Sequence, residues 1–178
     1  MPDSFDCIIV GGGGAGLAAA YSAACQGATV ALLERRPQPG GTTGIAVGSF
    51  TAAGTRWQRR AGIDDNPEDH DEDVSLFADP ELEARNNQPL RRFFLEHAAE
   101  TLHWLQEELR LNYVGPSPEP PNRCPRMHNV VPGAKAYVVR FQLALRRLGA
   151  TVITGAAVTR LLQENGRISG VEFNQDGK

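Results

Sequence analysis

The sequence is poor in most of the residues that mark a specialised class of protein. Cysteine occurs three times in 178 residues, as Cys7, Cys25 and Cys124. Their spacing suits no metal-ligand set and an odd one is left over, so neither a metal site nor a disulfide framework is expected, and a reducing, cytoplasmic setting fits. Aromatic residues make up only 7%, and 18 basic residues against 21 acidic ones give a net charge of −3. A nucleic-acid surface needs a basic excess, and a single-strand groove needs aromatic side chains set among the basic ones. Both are lacking, so no nucleic-acid partner is expected. Long apolar runs are missing too: the longest small-apolar stretch, Ala15 to Cys25, is far below the roughly 20 residues that span a bilayer. The opening Met1-Pro2-Asp3 puts no basic segment ahead of an apolar one, so no targeting or membrane segment is expected.

What is present fits one loop-rich globular domain. The chain is 41% hydrophobic, and its 19 glycines and 12 prolines fall short of the roughly 25–30% that marks low-complexity sequence. Charge is unevenly placed: Asp64, Asp65, Glu68, Asp69, Asp71, Glu72 and Asp73 crowd together without a base among them. A solvated loop is expected there; the spacing does not match an EF-hand.

Phe5 to Val10 carries the β-branched run Ile8-Ile9-Val10 and ends in four glycines, which predicts a buried strand entering a tight turn. Ala15 to Gln26 is rich in helix formers and stops at Gly27; Thr29 to Leu33 then reads as a second strand closed by Glu34. A strand, a short helical crossover and a strand make a β-α-β unit with parallel strands. Gln38 to Phe50 has neither period, and Ala52 to Ala61 has room for one short helix. Leu90, Phe93, Phe94, Ala98, Leu102, Leu105 and Leu109 recur at three and four residues, predicting one long helix from about Asn87 with a continuous core-facing stripe. Six prolines between Gly115 and Gly133 predict an extended surface connection. Ala134 to Leu148 is helical in spacing and stops at Gly149. Thr151 to Thr154, Ala157 to Gln163 and Arg167 to Phe173 read as strands, the last two joined by an Asn165-Gly166 hairpin turn. Asp176-Gly177 is a second turn signal followed only by Lys178, so the sheet is expected to be incomplete at the C-terminus.

The chemistry concentrates in Gly11-x-Gly13-x-x-Gly16, which follows a strand and opens a helix, as a dinucleotide fingerprint requires. Gly11 permits the turn, Gly13 lets bare backbone approach a pyrophosphate, Gly16 lets helix and strand pack, and free N–H groups at the helix start face the phosphates. Glu34, at the end of the second strand, is placed to accept hydrogen bonds from a ribose 2′-hydroxyl and to repel a 2′-phosphate. This fingerprint serves NAD or FAD alike.

A second glycine-rich segment follows. GGGGAG at 11–16, ERR at 34–36 and PGGTTGIAVGSF at 39–50 together resemble the FAD-binding flavoproteins of the fumarate reductase and succinate dehydrogenase type, which include the 3-ketosteroid dehydrogenases. The resemblance covers Phe5 to about Phe50 strongly and Gly133 to Phe173 more loosely. It implies an α/β fold, a Rossmann-like FAD-binding domain with a parallel sheet, helices and a β-hairpin or meander. It places the pyrophosphate against Gly13, Gly14, Ala15 and Gly16, and the adenosine ribose on Glu34 with Arg35 alongside. Gly41, Thr42, Thr43, Ala46, Val47 and Gly48 fall beside the pyrophosphate, ribityl chain and flavin ring, and Val158 matches a position whose backbone meets the adenine. Family members that attach FAD covalently have a His in place of Thr42, so a noncovalent flavin is implied. Ser49 departs from the family's usual Gly-Gly pair.

The implied activity is an FAD-dependent dehydrogenase or reductase acting on a C–C bond next to a carbonyl in a small-molecule substrate. By the same resemblance these 178 residues are the N-terminal part of the FAD-binding domain, inactive alone, with the catalytic residues and capping domain in the remainder of the flavoprotein chain. Arg126-Met127-His128 resembles an Arg-x-His of soluble fumarate reductases, with a loop His bonded to backbone as the bland alternative to a substrate contact. His70, His97 and His103 have no partners that point to catalysis, and Cys7 and Cys25 read as packing residues. Two other functions stay open at this level: a noncatalytic nucleotide-binding module, and an NAD-dependent Rossmann reductase, against which the 40–48 segment argues.

Overall fold

A computed structural model describes residues 4–176; Met1-Pro2-Asp3 and the Gly177-Lys178 end of the second turn signal lie outside the described residues. In chain order the elements are β1 (Cys7–Val10), α1 (Gly14–Cys25), β2 (Val30–Glu34), a 3-10 turn (Thr43–Ile45), β3 (Ser49–Thr51), α2 (Arg56–Arg60), α3 (Pro67–Val74) and α4 (Pro80–Glu83). There follow α5 (Gln88–Leu109), β4 (Asn112–Ser117), β5 (Met127–Val131), α6 (Lys135–Arg147), β6 (Thr151–Thr154), β7 (Ala156–Glu164) and β8 (Arg167–Gln175). They form two compact units. One joins the stretch ending at Ala46 to the stretch beginning at Ala134; the other is Val47–Gly133.

The first unit holds a parallel sheet in the order β1-β2-β6. Cys7 pairs with Val30 through Val10 with Leu33, and Ala31 pairs with Thr151 through Glu34 with Thr154. The central strand β2 is buried at every residue, which is why its sequence is apolar from Val30 to Leu33 rather than alternating. Leu17, Ala20, Tyr21 and Ala24 form the buried face of α1, and Tyr137, Val138, Phe141 and Leu145 that of α6. Tyr21 meets Phe141 edge-on with centroids 5.9 Å apart. β7 and β8 pair along their whole length, Ala156 with Gln175 at one end and Glu164 with Arg167 at the other. Asn165 and Gly166 both have positive φ, 50° and 78°, as a type I′ hairpin needs. Ile8, Val158, Val171 and Phe173 pack on a small core of Leu33, Ile153 and Ala156.

The second unit departs from the sequence reading in three places. The proline-rich connection contains two strands: β4 and β5 pair antiparallel, and β3 lies on the other side of β5. Pro116 sits in edge strand β4 where the register shifts between Val114 and Ser117, a position at which a missing N–H breaks no ladder. The long helix starts where expected, with Asn87 accepting from the Leu90 N–H at 3.1 Å, and Leu95, Ala98, Leu102, Leu105 and Leu109 are buried. Leu90, Phe93 and Phe94, however, are each more than half exposed, so the stripe is core only in its C-terminal two thirds.

The acidic run is the third departure: Glu68 to Asp73 lie in a helix, and only Asp64 and Asp65, just before it, are in irregular structure. Asn66 caps α3, Pro67 stands in its first turn, and Glu68 and Asp69 sit at the positive end of the helix dipole. Its carboxylates meet arginines from elsewhere in the chain. Arg123 pairs with Asp69, Glu72 and Asp73, Arg91 with Asp71, Arg92 with Glu68, and Arg126 with Asp65 and Asp73. The compensating charges are 20 to 61 residues away in sequence, so a local count of bases misses them.

Candidate functional site

The turn after β1 is built by glycine geometry. The Gly11 N–H donates to the Leu33 carbonyl at 2.8 Å, and Gly11 has φ of +99°, a region that favours glycine. A Cβ on Gly16 would lie 1.9 Å from the Gly11 carbonyl oxygen, so only glycine lets α1 start this close to the turn. Gly12 is closed in as well: a Cβ there would meet Pro39 at 3.0 Å and both Glu34 and Leu32 at 3.2 Å. Gly13, between them, is different. A Cβ at Gly13 would find nothing within 4 Å, so the backbone there faces open space.

The second glycine-rich segment docks onto the first. Gly40 forms a parallel bridge with Gly13 and its N–H donates to the Gly12 carbonyl at 2.8 Å. A Cβ on Gly41 would lie 3.4 Å from the Gly13 Cα. The Gly14 N–H donates to Thr43 Oγ1 at 3.2 Å, and a Cβ on Gly14 would crowd that oxygen at 2.6 Å. Gly13 caps α1 without a side-chain bond, and the Leu17 N–H is the first to bond back, to the Gly13 carbonyl at 2.9 Å. The N–H groups of Ala15 and Gly16 therefore have no partner among the described residues, the arrangement that makes a helix start an anion site.

Glu34 closes the other side. Its Oε2 accepts from the Gly12 N–H at 2.7 Å and its Oε1 from the Arg36 N–H at 2.8 Å. A carboxylate has about four acceptor positions, so two donors fix the side chain and leave capacity for others.

Of the residues singled out from the sequence, Gly11, Gly13, Gly14, Ala15, Gly16, Glu34, Gly41 and Thr43 come together here. Arg35, Thr42 and Ala46 are exposed on the neighbouring segments, and Val158 packs at the edge of the core that includes Leu33, one residue before Glu34. Val47 and Gly48 open the other unit, where Val47 is largely exposed and Gly48 is buried with φ of +99°. Sequence reasoning missed Gly12 and Arg36, whose N–H groups hold Glu34. The four consecutive glycines were the available signal for Gly12.

Arg126 and His128 turn out to be interior supports of the second unit, both fully buried. Arg126 donates through Nε and Nη2 to Asp65 at 2.8 and 2.7 Å, and through Nη1 to Asp73 at 2.5 Å and to Asn122 Oδ1 at 3.0 Å. Burial alone would raise the Asp73 carboxyl; hydrogen bonds from the Arg123 backbone and from the Arg126 and Arg123 guanidiniums outweigh it and hold it at about 2. His128 lies 3.1 Å from Thr55 Oγ1 and 3.3 Å from the Phe50 carbonyl, and burial lowers its pKa. The backbone-bonded alternative is thus the observed one. His103 accepts from the Arg56 N–H, and His97 stacks on Phe93. Burial, then the charge of Asp65, pushes the Cys124 thiol up to about 11, so it is not activated. Among the described residues no group of His, Cys, Asp and Glu has a metal-holding arrangement, and no helix is long and apolar enough to cross a membrane.

Comparison with known proteins gives the site its context. Residues 6–178 match the model of the FAD binding domain family. The chain belongs to that family. As a member of the FAD-binding domain family it is 34% identical over 186 residues to an NADH:fumarate oxidoreductase of Klebsiella pneumoniae (strain 342), covering 99% of this chain and 19% of that protein. It is 36% identical over 105 residues to the fumarate reductase (cytochrome) of Shewanella frigidimarina, covering 58% of this chain and 17% of that one. Among solved structures, the open conformation of a flavocytochrome c3 fumarate reductase superposes with a TM-score of 0.81 at 24% identity, over 97% of this chain and 32% of the other. A 3-ketosteroid-Δ4-(5α)-dehydrogenase from Rhodococcus jostii RHA1 gives 0.80 at 23%, over 98% and 42%. This FAD-binding chain, of a family of fumarate reductase-like oxidoreductases, spans about a fifth of the length of the curated relatives it matches.

Proposed function

We propose that this chain supplies the adenosine and diphosphate end of the FAD site in a flavoenzyme that adds or removes hydrogen across a C–C bond next to a carbonyl. The carrying observation is the hollow at Gly13. It faces open space, is flanked by Gly41, and is bordered by the unpartnered Ala15 and Gly16 N–H groups at the start of a 12-residue helix. Small residues and free donors around a gap suit a diphosphate, and any side chain at Gly13 would occupy the gap.

The residues then take defined parts. Gly13, Gly14, Ala15 and Gly16 present backbone and helix dipole to the diphosphate. Glu34, held by the Gly12 and Arg36 N–H groups, accepts from the ribose and disfavours a cofactor with a 2′-phosphate, with Arg35 beside it. Gly41, Thr42, Thr43 and Ala46 continue along the cofactor towards the ribityl chain, and Val47 and Gly48 towards the ring; Val158 offers backbone to the adenine. Thr42 stands where relatives that attach FAD covalently have a His, which supports a noncovalently held cofactor. Bound FAD supplies hydride chemistry; the protein's share is binding and orientation. The groups that bind substrate and move its proton lie outside these 178 residues, so the chain alone does not turn over, and its working partner is the rest of the flavoprotein. The names of the relatives, fumarate reductases and a ketosteroid dehydrogenase, support a carbonyl-activated alkane or alkene as the substrate class.

The test is the absorption spectrum of the purified, desalted protein together with its melting temperature in added cofactor. Retained flavin bands, or a rise in melting temperature with FAD or ADP, support the reading. A colourless protein stabilised by NADH and not by FAD contradicts it and favours the NAD alternative.

A further inference from the structure

The first unit carries a groove of about 530 Å³ between the segment that follows β2 and the helix α6, a volume within the range of small-molecule sites. One wall holds Arg36, Gln38, Pro39 and Ile45; the other holds Lys135, Val138, Val139 and Gln142, whose spacing of three and four residues puts them on one face of α6. The groove is distinct from the hollow at Gly13. No residue of the 11–16 turn lines it, nor does Glu34. The 40–44 segment stands between the two: a Cβ on Gly41 would meet Gly13 at 3.4 Å, and one on Gly40 would meet Val138 at 3.4 Å.

Its charges are of one sign. The Arg36 guanidinium and the Lys135 ammonium line it, no carboxylate does, and neither cation has a side-chain partner among the described residues. In the other unit, by contrast, Arg91, Arg92, Arg123 and Arg126 each hold a carboxylate. The helix adds to the field: α6 contains no acid, no side chain caps its start, and its first turn holds Lys135 where the dipole favours a negative charge. Glu34, two residues before Arg36, is turned to the Gly12 and Arg36 N–H groups instead. The positive potential of the groove is thus left for a ligand to meet.

Where the cations stand selects the shape of the anion. They lie on opposite walls, with Pro39, Val138 and Val139 supplying apolar surface and Gln38 and Gln142 amide donors. A guanidinium fork matches a carboxylate with two parallel hydrogen bonds, and an ammonium meets one as a point charge. Two carboxylates joined by a short hydrocarbon chain satisfy both cations and lay their methylenes on the valines. A monocarboxylate leaves one cation unmet, and a compact anion such as phosphate leaves the apolar walls bare.

We propose that this groove binds a small dicarboxylate, one carboxylate on Arg36 and the other on Lys135. All of its residues belong to one unit, and the site stands whether or not the flavin reading does. The probes are succinate, butyrate and inorganic phosphate, titrated into the full 178-residue chain while the methyl resonances of Val138 and Val139 are followed. Succinate should shift them saturably with a Kd of about 1 mM, and butyrate and phosphate should bind about fivefold or more weakly. Arg36→Gln and Lys135→Gln, both at exposed positions, should each weaken succinate about fivefold with an unchanged circular dichroism spectrum; the first keeps the backbone N–H that Glu34 uses. ADP, whose site the flavin reading puts at Gly13, should leave the succinate affinity as it is. No saturation by about 10 mM, equal affinity for butyrate or phosphate, indifference to either substitution, or displacement of succinate by ADP would overturn the proposal.

Discussion

Replacing Arg126 by Leu probes whether the buried charge cluster is the keystone of the Val47–Gly133 unit. The wild-type guanidinium makes four hydrogen bonds, two to Asp65, one to Asp73 and one to Asn122. The two carboxylates it serves are almost wholly buried, with side chains 1% and 3% exposed. Asp73 keeps the Arg123 N–H and Nε, both at 2.8 Å, but Asp65 keeps uncharged donors alone, the Gln58 amide at 2.7 Å and the Cys124 thiol. The loss therefore falls mainly on Asp65, and it belongs near the lower end of the roughly 3–5 kcal/mol that unpairing a buried charge costs. Against a total stability of about 5–15 kcal/mol this is a large fraction. Urea unfolding followed by the fluorescence of Trp57 and Trp104, both in this unit, reads it directly. The sign of the pH dependence is a second check. Without Arg126 the burial that raises the Asp65 carboxyl is no longer outweighed, so the folded variant binds a proton more readily than the unfolded chain and its deficit shrinks as pH falls towards the unfolded value of 3.8. Adding Asp65→Asn to Arg126→Leu should recover part of the loss. A deficit under about 1 kcal/mol, or one unchanged by pH and by the second substitution, would refute the reasoning.

Three further outcomes follow from the geometry. Gly16→Ala puts a methyl 1.9 Å from a backbone oxygen and should cost about 1–3 kcal/mol in thermal or urea unfolding, with cofactor binding weakened in parallel as α1 shifts. Glu34→Gln removes a charged acceptor from the Gly12 and Arg36 N–H groups and should lose about 1–2 kcal/mol of stability and about tenfold in ADP affinity by calorimetry. Stability should also fall with acidification below pH 6.5. The folded His70 resists protonation until about pH 4 while the unfolded ring titrates at 6.5, so the unfolded chain alone gains a proton over that window, amounting to about 2–3 kcal/mol. Asp73, held at about 2 against 3.8, extends the decline between pH 3.8 and 2. Urea midpoints measured at half-unit steps check both slopes.

The parallel sheet and its glycine turn were legible because their signals are local. Ile8 to Val10, the glycine run and the apolar Val30 to Leu33 each declare their conformation within a few residues, and β1, α1 and β2 lie within two residues of their expected bounds. The hairpin turn at Asn165-Gly166 was legible for the same reason. The second unit was not, because its order is set by long-range pairing. Nothing in Asp65 or Asp73 announces that Arg126 lies 61 and 53 residues on, and prolines at an edge bulge look like loop prolines until β4 is seen pairing with β5. The helical period of α5 likewise shows which face is apolar and says nothing about where the protein stops covering Leu90, Phe93 and Phe94.

The site was legible as far as backbone chemistry dictates glycine. Gly11 and Gly16 sit where a Cβ is strained or excluded, Gly13 where one would fill the hollow. The parts that depend on a second segment folding back, such as the Gly13-Gly40 bridge and the Thr43 hydroxyl on the Gly14 N–H, needed the fold.

The central claim, that the backbone hollow at Gly13 receives the diphosphate of FAD, is tested most directly by calorimetric titration of ADP into the chain and into its Gly13→Val variant. Gly13 has φ of −74°, which any residue adopts, and free space around its Cβ position, so the variant should unfold within about 1 kcal/mol of the parent. Its affinity for ADP should drop about a hundredfold or more, because the new side chain stands where the diphosphate lies. An ADP affinity the same in both proteins, with the fold intact, contradicts the claim.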